Sequence, residues 1–83
     1  MAHVVELTKK SEKFLKKSDK ENQKRIKKKL IDLSENLRLG KSLTANLAGL
    51  WSLRFGKFRA IYRIFESKLV VLVLEISHRK NAY

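Results

Sequence analysis

From Gly49 to Ile76 the chain reads as three β-rich runs separated by gaps too short for anything but turns, which constrains its fold more than any other stretch. The runs are Gly49 to Phe55, Phe58 to Phe65 and Leu69 to Ile76. Gly56-Lys57 divides the first pair and suits a two-residue hairpin loop with glycine at its first position. Glu66-Ser67-Lys68 divides the second pair. Counting outward from the hairpin turn predicts which side chains share a face. Phe55 meets Phe58, Leu53 meets Ala60 and Trp51 meets Tyr62 on one side, which is assigned to the core. On the other side Arg54 lies opposite Arg59, Ser52 opposite Ile61 and Leu50 opposite Arg63.

The first half is helical. His3 to Leu7 alternates weakly and predicts a short strand. Thr8 to Lys17 follows as a helix anchored by Phe14 and Leu15. Ser18 then opens a second helix, with Glu21 completing a capping box. Ile26, Leu30, Leu33 and Leu37 make one apolar stripe along it. Lys20, Lys24, Lys28 and Glu35 lie away from the stripe, and Lys27 flanks it. Gly40 is expected to stop this helix, and Lys41 to Ala48 to form a brief linker. With no proline, repeat or low-complexity tract, residues 1–83 are expected to form one domain. The predicted class is α+β, in the order β-α-α-β-β-β, with two N-terminal helices packed on one face of an antiparallel sheet.

Charge points to the kind of partner. Twenty Lys and Arg stand against eight Asp and Glu, a formal net charge of +12. Such an excess on a small body favours polyanions, either nucleic acid or an acidic protein. A Lys-rich, well-solvated surface is the alternative. Without cysteine the chain has no disulfide and no thiolate metal site. Its two histidines, His3 and His78, lie far apart without metal-ligand spacing, so neither metal nor cofactor is expected. A reducing cytosol is the expected compartment. MAHVVELTKK lacks the apolar stretch of a signal peptide, and Leu69 to Leu74 is far shorter than the roughly 20 residues a membrane span needs.

The facing arginines need a reason, because like charges directly opposite in a sheet are destabilising by a few tenths to about 1 kcal/mol. One reading places an anion between Arg54 and Arg59, with Arg63 further along the same side. The planar guanidinium holds a phosphate with two hydrogen bonds and stays charged. The other reading lets the two side chains splay into water, toward Glu66 or Glu75. By alternation Val70, Leu72 and Leu74 join Ile61 on this face, which the helices leave uncovered. An apolar patch of that kind marks a protein-binding site, or else the chain termini cover it.

The chain ends in SHRKNAY, crowding His78, Arg79, Lys80 and Tyr83 after the last strand. Cleaving RNA through its own 2′-hydroxyl needs a base, cations to stabilise charge on phosphorus and an acid for the leaving 5′ oxygen. His78 titrates in a suitable range. Neighbouring guanidiniums favour the Tyr83 phenolate, and Tyr83 is equally suited to stacking on a base. A surface histidine and a terminal hydrophobic plug are the plainer readings of these two residues.

The stretch LAGLWSLRFGKFRAIYRIFESKLVVLVLEISHRKNAY, Leu47 to Tyr83, closely resembles the RelE toxins of RelBE toxin–antitoxin pairs in the RelE/ParE superfamily, especially archaeal-type members. The resemblance implies a metal-independent endoribonuclease that enters the ribosomal A site and cleaves mRNA there, neutralised by a RelB-type antitoxin. It implies that Arg54 and Arg59 hold the scissile phosphate and that Arg79 stabilises the phosphorane. Tyr83 then acts as base or stacks on the message, and His78 shares the proton chemistry. Lys24, Lys27 and Lys28 on the helix, with Ser52, Lys57, Arg63 and Lys80, would contact RNA. Ile61, Val70, Leu72 and Leu74 would lie under the antitoxin. Bacterial members commonly carry lysine where Ser52 stands, and their final tyrosine lies further from the arginine. ParE-type toxins share the architecture but poison DNA gyrase, so that activity is the main alternative, followed by a non-catalytic RNA-binding module.

Overall fold

The computed structural model describes residues 3–78. Its regular elements are β1 (Val4–Leu7), α1 (Lys9–Lys17), α2 (Lys20–Glu35), β2 (Lys41–Ser42), β3 (Trp51–Phe55), β4 (Phe58–Phe65) and β5 (Val70–His78). The strands form a five-stranded sheet in the order β1-β5-β4-β3-β2, antiparallel except for the parallel β1–β5 pair. Both helices pack on one face. Ile26 and Leu33 of α2 meet Ala60, Tyr62, Val71 and Val73 of the sheet in a fully buried core. The β-α-α-β-β-β expectation therefore holds, with the short β2 added.

The β3–β4 hairpin has the predicted register: Trp51↔Tyr62, Ser52↔Ile61, Leu53↔Ala60, Arg54↔Arg59 and Phe55↔Phe58. Gly56 takes φ +56° at the first turn position, a conformation that costs glycine little. Leu50 is the exception to the predicted pairs. The strand begins at Trp51, and Leu50 N instead donates to Leu47 O at 3.1 Å, so Leu50 does not face Arg63.

Three local features differ from expectation. Asp19, not Ser18, caps α2: its Oδ1 accepts from Asn22 N at 2.8 Å. Ser18 is occupied in closing α1, donating its hydroxyl to Phe14 O at 2.8 Å. A carboxylate also suits the positive end of the helix dipole better than a hydroxyl. Secondly, α2 ends at Glu35 rather than near Gly40. The Tyr62 hydroxyl donates to Leu37 O at 2.8 Å and accepts from Gly40 N at 3.1 Å, tying the post-helix segment to the sheet. Gly40 serves close approach instead of helix termination, since a Cβ there would meet Ser52 O at 2.6 Å. Finally, the linker contains β2, with Lys41 opposite Ser52 and Ser42 opposite Trp51.

One irregularity in β5 resets its faces. Tyr62 pairs with Val73 and Ile61 with Glu75, leaving Leu74 as an extra residue in a β-bulge. The bulge is held from α1: Thr8 Oγ1 donates to Leu74 O and Ser11 Oγ to Val73 O, both at 2.8 Å. This explains why Ser11 is fully buried. Ile76 consequently turns into the core.

Two predictions follow from these buried polar contacts. Ser11→Ala removes one of the two donors to the Val73 carbonyl, which keeps the Thr8 N–H at 3.1 Å, and should lower unfolding stability in urea by about 0.5–1.5 kcal/mol; an unchanged midpoint would contradict that role. Burial raises the Tyr62 pKa, an effect partly opposed by the Gly40 hydrogen bond. A raised folded-state value means this stabilisation is complete below the ordinary tyrosine pKa of about 10 and fades as pH rises through the folded value. Alkaline titration should therefore destabilise the wild type in a phase that Tyr62→Phe lacks, and identical alkaline profiles would refute the assignment.

Candidate functional site

Cross-strand register places four rows on the face away from the helices. Lys41, Ser52, Ile61 and Glu75 form one row across β2, β3, β4 and β5, and Arg54, Arg59 and Ser77 form the next. On the other side of the bulge, Arg63 pairs with Leu72 and Phe65 with Val70. The face is thus cationic toward the hairpin and apolar toward the opposite end. Arg54 is exposed and Arg59 half-buried. A groove of about 410 Å³ runs beside them, lined by Leu39, Lys41, Leu43, Ser52, Arg54 and Arg59 among others.

The two carboxylates considered as partners for the arginines each lie beside another cation. Glu75 lies 3.0 Å from Lys10 of α1, and Glu66 lies 3.8 Å from Arg38. At the apolar end the Arg63 guanidinium sits 5.4 Å from the Phe65 ring centroid. That is within range of an attractive cation–π contact. Chemically, the hairpin end carries guanidinium groups suited to a phosphate, and the far end carries half-buried Ile61, Val70 and Leu72 suited to an apolar partner.

His78 does not join the arginines. It pairs with Phe58 on the helix-facing side, with ring centroids 5.3 Å from Phe58 and 5.6 Å from Phe14. Uninterrupted alternation from Leu72 would have put it on the arginine face; the Leu74 bulge turns it away. Leu74 itself is half-buried and has no register partner in β4. Arg79, Lys80 and Tyr83 lie outside the described residues.

The expected RNA-contacting lysines are distributed around the molecule. Lys24, Lys27 and Lys28 are all exposed on α2. Lys28 lies beside Arg25, Lys29 and the hairpin residues Phe55 and Phe58, whereas Lys27 borders an apolar groove with Val5, Leu30 and Ile31. Lys57 lies at the hairpin tip, 5.8 Å from the Phe58 ring centroid. Lys41 is the cation that the reading of the linker missed. A two-residue strand leaves almost no periodic signal, so its face becomes visible only through its pairing with Ser52.

The fold is that of the RelE/ParE-like toxins. The family model described as the ParE toxin of the type II toxin–antitoxin system, parDE, matches residues 5–83, and the chain belongs to that family. Toxin RelG of Mycobacterium tuberculosis is 45% identical over 53 residues, covering 63% of this chain and 61% of that toxin. The aligned stretch therefore spans less than two thirds of RelG. The solved toxin–antitoxin complex RelBE2, also from Mycobacterium tuberculosis, contains a chain with a TM-score of 0.86 at 32% identity, covering 95% of this chain and 93% of that one. The archaeal RelE–RelB complex from Pyrococcus horikoshii OT3 contains a chain with a TM-score of 0.78 at 22% identity, covering 99% of this chain and 100% of that one, which is a likeness of fold alone.

The facing arginines generate a stability prediction. Arg54→Thr removes the like-charge pair and introduces a good strand former, so it should raise stability by about 0.2–1 kcal/mol. Equilibrium denaturation would test this, and a clear loss of stability would show that Arg54 supports the fold.

Proposed function

We propose that this chain is the toxin of a type II pair and acts as a metal-independent endoribonuclease on mRNA in the ribosomal A site. The observation carrying this reading is the Arg54↔Arg59 pair on the helix-free sheet face. Two facing guanidiniums can hold one phosphodiester between them through paired, charge-assisted hydrogen bonds. In the proposed reaction the substrate's 2′ oxygen loses its proton and attacks phosphorus. The phosphorus–O5′ bond breaks, the 5′ oxygen takes up a proton, and a 2′,3′-cyclic phosphate and a 5′-hydroxyl result. Arg54 and Arg59 are assigned to the phosphate, Arg79 to the charge on the phosphorane, and Tyr83 to the base or to stacking. His78 is left out because it packs on the other side of the sheet.

The exposed lysines of α2, with Lys57 and Lys80, are assigned to ribosomal RNA. A RelB-type antitoxin would cover Ile61, Val70, Leu72 and Leu74, consistent with the two complexes named above. Among the described residues no helix is long and apolar enough to cross a membrane. Ribosomes as the target make the cytoplasm the proposed site of action.

A second reading, inhibition of DNA gyrase without cleavage, is favoured by the family model's description as a ParE toxin. One comparison separates the two. Purified protein is incubated with mRNA-programmed ribosomes, and in parallel with gyrase and supercoilable plasmid. Cuts mapping to the A-site codon, with gyrase unaffected, are expected. Arg54→Ala/Arg59→Ala should slow cleavage by at least roughly 10²-fold, the scale expected when preorganised charge stabilisation is removed. Intact message together with inhibited gyrase would establish the second reading instead.

A further inference from the structure

The geometry points to Lys41 as an unassigned phosphodiester-binding residue that completes the cationic groove from the neighbouring edge strand. Lys41 and Ser52 are register partners, so their side chains leave the same face of the sheet. Arg54 and Arg59 form the next row on that face. Lys41, Ser52, Arg54 and Arg59 also line one groove, with Leu39 and Leu43 contributing apolar wall. The inference deepens the endoribonuclease reading and rests on it for the chemistry of the ligand.

Three observations make Lys41 more than a solvated surface charge. Its ammonium has no ion-pair partner among the described residues. Its backbone is anchored, since Gly40 N donates to Tyr62 Oη and Gly40 lies so close to β3 that a Cβ would meet Ser52 O at 2.6 Å. The groove also has no acidic residue in its lining. A tethered cation without a carboxylate partner, beside two guanidiniums, forms a site for an anion carrying more than one negative oxygen. The ligand class is a phosphodiester of single-stranded RNA, whose sugar or base can rest against Leu39 and Leu43. Lys41 supplies a point charge there, while the arginines supply directional forks.

The test uses Lys41→Ala, Lys41→Arg and Lys41→Ala/Ser52→Lys. The double variant moves the ammonium to the partner position across the strand pair. One readout is the salt dependence of binding to a short single-stranded RNA carrying 2′-deoxy sugars, which cannot be cleaved through a 2′-hydroxyl. Lys41→Ala should reduce the log–log slope by about 0.7, the value for one lost contact to a single strand. Lys41→Arg and the double variant should retain the wild-type slope. The second readout is single-turnover cleavage on programmed ribosomes, expected to fall roughly 10- to 100-fold in Lys41→Ala and to recover in the other two.

Thermal melting of all variants should coincide with wild type, which separates loss of contact from loss of fold. An unchanged slope in Lys41→Ala overturns the inference, whether or not ribosomal cleavage occurs. If the wild type cleaves nothing but the slope still falls, Lys41 remains a phosphodiester contact and only the endoribonuclease reading fails.

Discussion

Two hydroxyls at the start of α1 decide which way the last strand faces. Thr8 and Ser11 donate to the carbonyls of Leu74 and Val73 and hold a bulge where β5 would otherwise continue its alternation. Beyond the bulge, Ile76 enters the core and Ser77 pairs with Arg59 on the opposite face. A bulge shifts side-chain alternation by one residue, so every later position depends on it. The same shift carries His78 against Phe14 and Phe58. A helix cap thereby governs the composition of a surface on the far side of the sheet.

That surface concentrates positive charge. Arg54 and Arg59 face each other at the hairpin, and Lys41 joins them from β2 on a chain whose formal net charge is already +12. Concentrated like charge opposes folding and favours encounter with polyanions. The helix side supplies the compensating burial, with Ile26, Leu33, Tyr62, Val71 and Val73 fully enclosed. One side of this small sheet therefore concentrates positive charge while the other maintains the fold.

The strongest periodic signals were the ones legible in the sequence. The β3–β4 register could be counted from Gly56-Lys57 because a two-residue turn allows little freedom in pairing. Ile26, Leu30 and Leu33 identified the buried side of α2 through their helical spacing. The features that escaped are tertiary or too short for a period. β2 has only two residues, so Lys41 read as linker. The bulge depends on side chains of Thr8 and Ser11, more than 60 positions away along the chain. Gly40 is a common kind of helix stop, but its use here was decided by the Tyr62 hydroxyl and the Ser52 carbonyl. For the candidate site, the facing arginines were visible in advance, whereas the exclusion of His78 required knowledge of the bulge.

The proposed phosphodiester site consists of the cations on the helix-free face. Nuclear magnetic resonance can test it directly by following the Arg54 and Arg59 Nε–H signals and the Ser52 and Ser77 amides during titration with a 2′-deoxy-substituted RNA trinucleotide. Saturable shifts concentrated on those groups are expected, with little change at the α2 lysines. Shifts centred on Lys24, Lys27 and Lys28, with Arg54 and Arg59 unmoved, would contradict it.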